Sequence, residues 1–322
     1  MTATATLTKT ALLFSGQGAQ KVGMGRDFAE QFPLGKQWFE QANAALGYDL
    51  AKICFEGPDA ELTKTEHAQP GIFLVSWVAL ALLRERVPGL KFEATAGLSL
   101  GEFTALTAAG VMRFEDAIRL VRQRGQFMQE ACEETKGGMA AVINLDEAKT
   151  REVCAETGVE LANLNCPGQI VISGPVDKLE AACERAKAKG AKRALPLPVT
   201  GAYHSTLMKS AQAKLDAALQ KVTLQAPQIQ VIANVTAQPH AGPSQIHRLL
   251  VDQVISSVRW EDSIRYLLAQ GFNRFIELGP DQALSGFMKR IDPAPQMFNV
   301  SDVPSLTATA LSVRNAECGV RN

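Results

Sequence analysis

The residues with the clearest chemical meaning form the motif GLSLG at residues 97–101, a G-x-S-x-G pattern centred on Ser99. A short apolar stretch precedes the motif and a segment of small residues follows it, so we predict a sharp turn from a buried strand into a helix. Such a turn exposes a serine hydroxyl at the end of a sheet. The amide of Leu100 would then face a developing oxyanion at the positive end of the helix dipole. We therefore predict that Ser99 is a catalytic nucleophile.

A serine hydroxyl is a weak nucleophile unless a base removes its proton, and four histidines could serve. We predict His204 as the base, because it follows an expected strand end in the segment GAYHSTLM. Sites of open α/β sheets lie at such strand-to-helix junctions. We expect His67 to be a surface or cap residue, His240 to lie in a turn and His247 to face solvent on a helix. A backbone carbonyl can orient the imidazole in place of an acid.

The order of these residues along the chain bears on the class of enzyme. In ordinary α/β-hydrolases the serine comes first, an acid follows and the histidine comes late. Here no histidine follows His247, and the best candidate base lies in the middle of the chain. An ordinary esterase is therefore the weaker interpretation.

Several arginines cluster on or next to one expected helix near residues 114–130, namely Arg113, Arg119, Arg122 and Arg124. The charge pattern alone favours a solvated helix face. A second interpretation exists because a planar guanidinium binds a carboxylate through two parallel hydrogen bonds. An arginine near the nucleophile could therefore select a substrate that carries a free carboxylate, and the pattern leaves both interpretations open.

The elements that must position these residues alternate between short apolar strands and helical segments, which predicts an α/β fold with a parallel sheet. The larger unit would comprise residues 1–132 and 200–300. Between these two segments the expected order is β-α-β-β-α-β, which is typical of a ferredoxin-like fold. We therefore predict an inserted small subdomain at residues 133–199. We expect the first ten residues to be loose and residues 301–322 to form a polar, partly disordered tail.

The composition excludes several function classes. The 33 Lys and Arg balance the 33 Asp and Glu, so the formal net charge is zero, whereas nucleic-acid-binding proteins carry a basic face. The longest nearly apolar run, residues 72–83, is shorter than the roughly 20 residues that span a bilayer, and the N-terminus lacks the features of a signal peptide. Six scattered cysteines without C-x-x-C spacing predict reduced thiols and no zinc site. We expect a cytoplasmic protein without a metal, nucleic-acid or membrane partner.

Seven segments of the chain, one of which contains the G-x-S-x-G motif, together form a more specific pattern than that motif alone. They are FSGQGAQ (14–20), GLSLGE (97–102), RQRGQFMQEA (122–131), ANLNCPGQIVISG (162–174), GAYHSTLM (201–208), VDQVISSVRW (251–260) and ELGP (277–280). In this order and spacing they resemble the acyltransferase family of fatty acid and polyketide synthesis, and within it the malonyl-CoA:acyl carrier protein transacylases. The resemblance covers nearly the whole chain.

The resemblance implies a fold and a set of catalytic roles. The fold would be an α/β-hydrolase-like large subdomain with a ferredoxin-like small subdomain, and the site would lie in the cleft between them. Ser99 would accept the acyl group and His204 would act as general base and later as acid. The backbone carbonyl of Gln253 would hold the imidazole ring. The amides of Gln17 and Leu100 would form the oxyanion hole.

The resemblance also implies the substrates and partners. Arg124 would bind the malonyl carboxylate, Met128 and Tyr203 would line the acyl pocket, and Asn163 and Asn165 would lie near the mouth of the site. Malonyl-CoA and phosphopantetheinylated acyl carrier protein would be substrates, so no cofactor or metal is expected. We expect the protein to be a monomer.

Two positions depart from the family pattern. Leu98 stands where the family usually has histidine, which changes the hydrogen bonding expected around the turn. Tyr203 stands where phenylalanine is more usual. An aromatic residue there is similar to malonyl-selective members, whereas a small residue would make room for methylmalonyl. The added hydroxyl has no explanation in the sequence.

Two alternatives from other classes stay open. A serine hydrolase that clears acyl groups from carrier proteins would share the nucleophile and the base, although Arg124 favours a substrate with a free carboxylate. A non-catalytic docking protein would have no need of Ser99, His204 and Arg124 together. A standalone chain of this length favours the dissociated fatty acid pathway, and a separate loading enzyme of a polyketide pathway would look the same.

Overall fold

A computed structural model describes residues 8–199 and 201–317. The described residues form nine strands, namely β1 (Lys9–Phe14), β2 (Ala94–Gly97), β3 (Gly137–Ile143), β4 (Glu160–Cys166), β5 (Gln169–Pro175), β6 (Arg193–Pro196), β7 (Gln230–Ile232), β8 (Phe272–Leu278) and β9 (Gln296–Val300). They fall into two sheets, one of five strands in the order β7-β2-β1-β8-β9 and one of four in the order β4-β5-β3-β6.

Helices surround and connect the two sheets. They are α1 (Arg26–Gln31), α2 (Pro33–Leu46), α3 (Leu50–Glu56), α4 (Asp59–Leu62), α5 (Thr65–Arg86), α6 (Leu100–Ala108), α7 (Phe114–Glu134), α8 (Glu147–Thr157), α9 (Val176–Ala188), α10 (Lys209–Leu219), α11 (Pro243–Gln253), α12 (Trp260–Ala269), α13 (Ala283–Ile291) and α14 (Val303–Glu317). A 3₁₀ helix at Thr206–Met208 precedes α10.

The five-stranded sheet is parallel throughout. Its central strand β1 is apolar and almost fully buried, as expected for a strand with helices on both faces. Phe14 at the end of β1 pairs with Gly97 of β2 and with Leu278 of β8. Three strands therefore end at one level, and the loops that follow them meet at the carboxyl edge, where sites of parallel sheets lie.

The four-stranded sheet is antiparallel and has its own core. Its chain order is β3, α8, β4, β5, α9, β6, the arrangement of a ferredoxin-like fold. All of its strands lie within residues 133–199, where we expected the small subdomain. The predicted fold class, a parallel α/β sheet with a separate βαββαβ unit, is confirmed.

Helix α5 is the main core helix of the larger unit. It begins at Thr65, and Pro70 lies inside its second turn. It is the one described helix that is long and apolar enough to cross a membrane, yet 78% of its most apolar window is buried inside the protein. That burial is typical of a core helix rather than a membrane span.

Two expectations about the chain ends are wrong. Lys9 and Thr10 belong to β1 instead of a loose end, because their backbone pairs with β8. The expected disordered tail forms α14, and its residues Leu306, Ala310 and Val313 are buried. Their spacing places them on one helix face, a pattern that the surrounding Thr and Ser obscure in the sequence. Residues 1–7, 200 and 318–322, including Cys318, lie outside the described part of the chain.

Candidate active site

The predicted strand-to-helix turn is present and places Ser99 between β2 and α6. Ser99 has φ 51° and ψ −104°, a conformation that L-residues rarely adopt and that is typical of functional sites. A Cβ on Gly97 would overlap the backbone of Gly101, and a Cβ on Gly101 would overlap the carbonyl of Phe14. The two glycines of the motif are therefore sterically required.

The Ser99 hydroxyl faces the His204 imidazole. The Nε2 atom of His204 lies 2.9 Å from Ser99 Oγ, and its Nδ1 atom lies 2.9 Å from the backbone oxygen of Gln253. Because a carbonyl oxygen can only accept, Nδ1 carries the proton and donates it to Gln253. Nε2 is then the acceptor for the serine proton. The structure thus brings together three residues that are 105 and 49 positions apart in sequence.

The surroundings of His204 keep its imidazole neutral. Burial and the nearby positive charge of Arg124 lower the pKa of His204 to about 4, and the Gln253 carbonyl opposes this shift in part. At neutral pH the ring is therefore available to take a proton. Gln253 accepts from Nδ1 without adding a negative charge to the site, in contrast to an aspartate.

Arg124 lies next to the nucleophile rather than on a solvated helix face. Its side chain is 1% exposed, and its Nη2 atom donates to Ser99 Oγ at 3.1 Å and to Gln253 Oε1 at 3.0 Å. Its Nη1 atom donates to Gln69 Oε1 at 2.6 Å. The neighbouring Arg119 is exposed and lies near Asp116. The choice that the charge pattern left open is therefore decided by tertiary contacts.

The guanidinium of Arg124 is charged and incompletely paired. Burial lowers the pKa of Arg124 to about 10, and the negative charge of Glu102 opposes the shift, so the group stays protonated at neutral pH. Its Nε atom is buried without a hydrogen-bond partner in the described residues, and no carboxylate among them forms a salt bridge with it. A buried cation with an open donor beside a nucleophile favours a substrate that supplies a carboxylate.

A chain of polar side chains connects the predicted pocket residues. The Tyr203 hydroxyl lies 2.9 Å from Thr65 Oγ1, which also accepts from Gln17 Nε2 at 3.3 Å. Gln69 Nε2 reaches Gln17 Oε1 and the sulfur of Met128, each at 3.4 Å. The hydrogen bond to Thr65 therefore accounts for the Tyr203 hydroxyl, which had no explanation in the sequence.

Thr65 and Gln69 were not among the predicted site residues, and they lie four residues apart in the first two turns of α5. Residues four apart share a helix face. Both are polar residues just before a long apolar run, and that pattern is the signal that could have indicated a site.

The loops that carry the two predicted oxyanion amides lie side by side. Gln17 is in the turn after β1, and Leu100 is the first residue of α6, where a backbone amide has no intrahelical acceptor. A Cβ on Gly16 would contact the carbonyl of Leu98. The backbone of the first turn therefore packs directly against the nucleophile turn.

Asn163 and Asn165 lie on β4, and both are buried. Asn163 pairs with Val258 in an isolated parallel bridge, which ties the second sheet to the chain that follows Gln253. Neither side chain forms a hydrogen bond with Ser99, His204 or Arg124, so these two are not part of the contact network. A cleft of about 430 Å³ opens at His204 between α8, β4 and residues 255–257.

Three further residues near Ser99 had no predicted role. Asn234 Oδ1 accepts from the Ser99 amide at 2.6 Å, and its Nδ2 donates to the Gly97 carbonyl at 2.7 Å. His240, which we expected in a turn, lies in the loop between β7 and α11, where it is 5% exposed and its Nε2 lies 2.7 Å from Glu102 Oε1. The segment around His240 has the composition of a turn, yet the imidazole is buried, and the Glu102 carboxylate is its hydrogen-bond partner there.

None of the remaining candidates for metal or thiol chemistry in the described residues forms a hydrogen bond with Ser99, although Cys132 interacts with the pocket residue Tyr203. No group of three or more His, Cys, Asp or Glu that could hold a metal occurs in the described ranges. The five cysteines of those ranges are buried and unpaired. His67 interacts with Glu61 and His247 with Asp216, and neither contacts Ser99.

Comparison with known proteins agrees with this geometry. The model of the acyl transferase domain family matches residues 11–307. The malonyl CoA-acyl carrier protein transacylase of Bacillus subtilis is 44% identical over 301 residues, which cover 92% of this chain and 94% of that protein. The crystal structure of the malonyl CoA-acyl carrier protein transacylase from Clostridium perfringens has a TM-score of 0.93 at 39% identity and covers 98% of this chain and 100% of its own.

A third similar structure is a malonyl-transacylase in complex with its type II polyketide synthase acyl-carrier protein. It has a TM-score of 0.91 and 38% identity, and the match covers 95% of this chain and 100% of that one.

Proposed function

Because the chain belongs to the acyl transferase family, we propose that it transfers the malonyl group of malonyl-CoA to the phosphopantetheine thiol of an acyl carrier protein. The observation that carries this proposal is Arg124, a buried cation whose Nη2 lies 3.1 Å from the Ser99 hydroxyl and whose Nε has no partner in the described residues. Malonyl differs from acetyl by a free carboxylate, and a guanidinium is the group that binds a carboxylate through two hydrogen bonds.

The first half-reaction loads the enzyme. Ser99 Oγ attacks the thioester carbonyl while His204 Nε2 takes the hydroxyl proton, and the Gln253 carbonyl stabilises the resulting imidazolium through Nδ1. The amides of Gln17 and Leu100 hold the oxyanion of the tetrahedral intermediate. The carbon–sulfur bond then breaks, and His204 returns its proton to the leaving thiolate. Coenzyme A departs and a malonyl ester remains on Ser99.

In the second half-reaction a thiol attacks, whereas in the first the thiol of coenzyme A was the leaving group. The phosphopantetheine thiol gives its proton to His204 and attacks the ester carbonyl of malonyl-Ser99. The tetrahedral intermediate uses the same oxyanion amides. The bond to Ser99 Oγ breaks, the serine regains its proton from His204, and malonyl-carrier protein leaves. The order is ping-pong because coenzyme A leaves before the carrier-protein thiol attacks, and the malonyl group stays on Ser99 in between.

Arg124 supplies acyl selectivity in this scheme. The malonyl carboxylate would meet the unpaired Nε donor, and Gln69 and Gln253 would keep the guanidinium plane in place. An acetyl group would leave the buried cation unpaired, which costs binding energy in a desolvated site. Tyr203, held by Thr65, closes the pocket wall beside His204.

The partners and setting follow from the same proposal. The names of the similar proteins and the carrier-protein complex support an acyl carrier protein as the acceptor. The enzyme would act as a cytoplasmic monomer without a cofactor or metal, and it would supply malonyl units for fatty acid or polyketide chain elongation. Asn163 and Asn165 would act at the mouth of the site, where β4 borders the cleft at His204.

The test is intact-mass analysis of the protein after incubation with malonyl-CoA, acetyl-CoA and methylmalonyl-CoA, each with and without phosphopantetheinylated carrier protein. We expect one added malonyl group on the wild type, its transfer to the carrier protein, and no added mass on Ser99→Ala. Loss of the acyl group to water without dependence on an acceptor thiol would indicate a hydrolase instead. A protein that gains no acyl mass from any donor would indicate a docking protein.

A further inference from the structure

Ser99 and Glu102 have the spacing of a helix capping box, in which the serine caps the helix and the glutamate three residues later binds back to the serine amide. Neither half of that local pair forms here. Ser99 makes no capping hydrogen bond, and its hydroxyl faces His204 and Arg124 instead. The Ser99 amide donates to Asn234. Glu102 is thereby free to make other contacts from the first turn of α6.

The Glu102 carboxylate is fully buried and accepts three hydrogen bonds. Its Oε1 faces His240 Nε2 at 2.7 Å. Its Oε2 accepts from Gln253 Nε2 at 2.6 Å and from the Asn234 amide at 3.1 Å. A buried carboxylate is costly unless every oxygen is satisfied, and here both oxygens are.

The carboxylate decides which way the Gln253 amide points. A carboxylate only accepts and a guanidinium only donates, so Gln253 must turn its Nε2 to Glu102 and its Oε1 to Arg124. In that orientation Nε2 also donates to the Ser99 carbonyl at 3.0 Å, while the Gln253 backbone oxygen accepts from His204. A flipped amide would place two donors against each other at Arg124.

The partners of Glu102 therefore hold both sides of the nucleophile. Asn234 binds the Ser99 amide and Gln253 binds the Ser99 carbonyl, and Glu102 binds both of these partners. Ser99 has a strained φ of 51°, and such a conformation persists only where the surroundings impose it. His240 supports the arrangement from the other oxygen of the carboxylate.

We infer that Glu102 is a positioning residue for acyl transfer. It acts through Gln253 and Asn234 to hold the Ser99 turn and the His204 base at hydrogen-bond distance from each other. The inference rests on the proposed function for its reaction, and it extends that function to a residue that touches neither substrate nor nucleophile oxygen. His240 is the second positioning residue, because its ring binds the other oxygen of the Glu102 carboxylate.

The experiment measures acyl-enzyme formation by Glu102→Ala and Glu102→Gln, with the exposed Glu133→Gln as matched control. Glu102→Ala removes the acceptor for Gln253 and Asn234, so we expect the acylation rate to fall about ten- to a hundredfold. The fall should include acetyl-CoA as well as malonyl-CoA, since the nucleophile and base serve both. In Glu102→Gln the amide oxygen can still accept from Gln253 and Asn234, while His240 changes tautomer, so most of the rate should return.

Outcomes against the inference are distinct from a failure of the proposed function. An unchanged rate in folded Glu102→Ala would overturn it, as would a loss confined to malonyl, which would place the effect at Arg124. A Glu102→Gln rate as low as that of Glu102→Ala would assign the effect to charge rather than orientation. If Glu102→Ala does not fold, Gln253→Met takes its place, because it keeps the backbone carbonyl and removes the amide.

A second probe separates the two proposals. Phenylmethylsulfonyl fluoride labels an activated serine and needs neither malonyl nor carrier protein. If the wild type gains no malonyl group, the proposed function fails, yet the labelling rate still reports on Ser99 and His204. We expect that rate to fall in Glu102→Ala by the same factor as acylation, and a wild-type labelling rate would overturn the inference.

Discussion

The carboxyl edge of the parallel sheet and the interior of the antiparallel sheet bury different kinds of side chain. Beside Ser99 the chain buries Glu102, Arg124 and His204 within hydrogen-bonded contact of one another or of Gln253. The antiparallel sheet buries mainly apolar side chains in a core cluster of its own. Its ion pairs, such as Arg151 with Glu147, lie on the outside.

The difference separates residues that serve the reaction from residues that serve stability. A buried charge costs solvation energy that apolar packing would avoid, so charges at the sheet edge indicate a chemical requirement there. Exposed ion pairs contribute little to stability, so packing holds the antiparallel sheet together. Substitutions at the edge should therefore change rates, and substitutions in the second core should change the free energy of unfolding.

The largest effect that we expect in this comparison is on malonyl selectivity. Arg124→Ala removes the charged group that we propose binds the substrate carboxylate through two hydrogen bonds, so malonyl loading should fall about a hundred- to ten-thousandfold, at about 1.5–3 kcal/mol per bond. Acetyl loading should fall much less. Loading rates of each acyl-CoA, measured by intact mass, check this, and the exposed Arg119→Ala is the control on the same helix. Equal losses for both acyl groups would make Arg124 structural.

The next effect is on pH dependence. The pKa of His204 is about 4 because of burial and the charge of Arg124, and the base must be neutral to act. The rate of serine labelling by phenylmethylsulfonyl fluoride should therefore hold as pH falls below 6.5 and decline only near 4. Arg124→Gln removes one of the two lowering causes, so its decline should begin at higher pH. An acid limb near 6.5 in the wild type would contradict the burial argument.

The next effect, about 2–5 kcal/mol, is on stability and is expected in the antiparallel sheet. Ile172 is fully buried in β5, and Ile172→Ala should lower the free energy of unfolding by about 2–5 kcal/mol through lost burial and a cavity. Denaturant unfolding measures this change. The acylation rate per folded molecule should stay within about twofold of wild type. A lower rate in fully folded protein would show that the packing of the second sheet controls the site.

The smallest effect concerns the Tyr203 hydroxyl. Tyr203→Phe removes the hydrogen bond to Thr65, worth about 1 kcal/mol, while the ring still forms the pocket wall. Malonyl loading should fall about threefold or less, and Thr65→Val in the same background should add little. Single-turnover loading rates of the two single variants and the double variant measure the coupling. A large loss in Tyr203→Phe would assign the hydroxyl a direct part in substrate binding.

Much of the fold and part of the site could be predicted from local patterns. Residues 97–101 indicated a strand-to-helix turn because glycines on both sides of a serine permit close backbone approach. The β-α-β-β-α-β order indicated the second sheet, since each segment shows its own periodicity. The α14 helix was missed because its three buried residues lie in a sequence rich in Thr and Ser.

Other site residues could not be assigned from the chain alone. The arginine pattern left Arg124 between solvent and substrate, and the turn composition around His240 did not indicate that its ring is buried. Asn234 carried no pattern that separated it from ordinary polar residues. Glu102 had only the spacing of a helix capping box, and Thr65 and Gln69 only their place before a long apolar run. Each acquires its role from a partner between 48 and 138 positions away, and no local spacing encodes such a partner.

The sequence by itself determined the nucleophile turn, the two-sheet architecture and the family, because steric limits, hydrophobic periodicity and motif order act over short stretches of chain. Only the tertiary structure decided which cation contacts Ser99, which groups hold His204 against its hydroxyl and how the Gln253 amide is oriented. The physical reason is that burial and hydrogen-bond pairing depend on what surrounds a group in space. A buried Arg124 without a carboxylate partner, 3.1 Å from Ser99 Oγ, exists only once the helices and strands are packed.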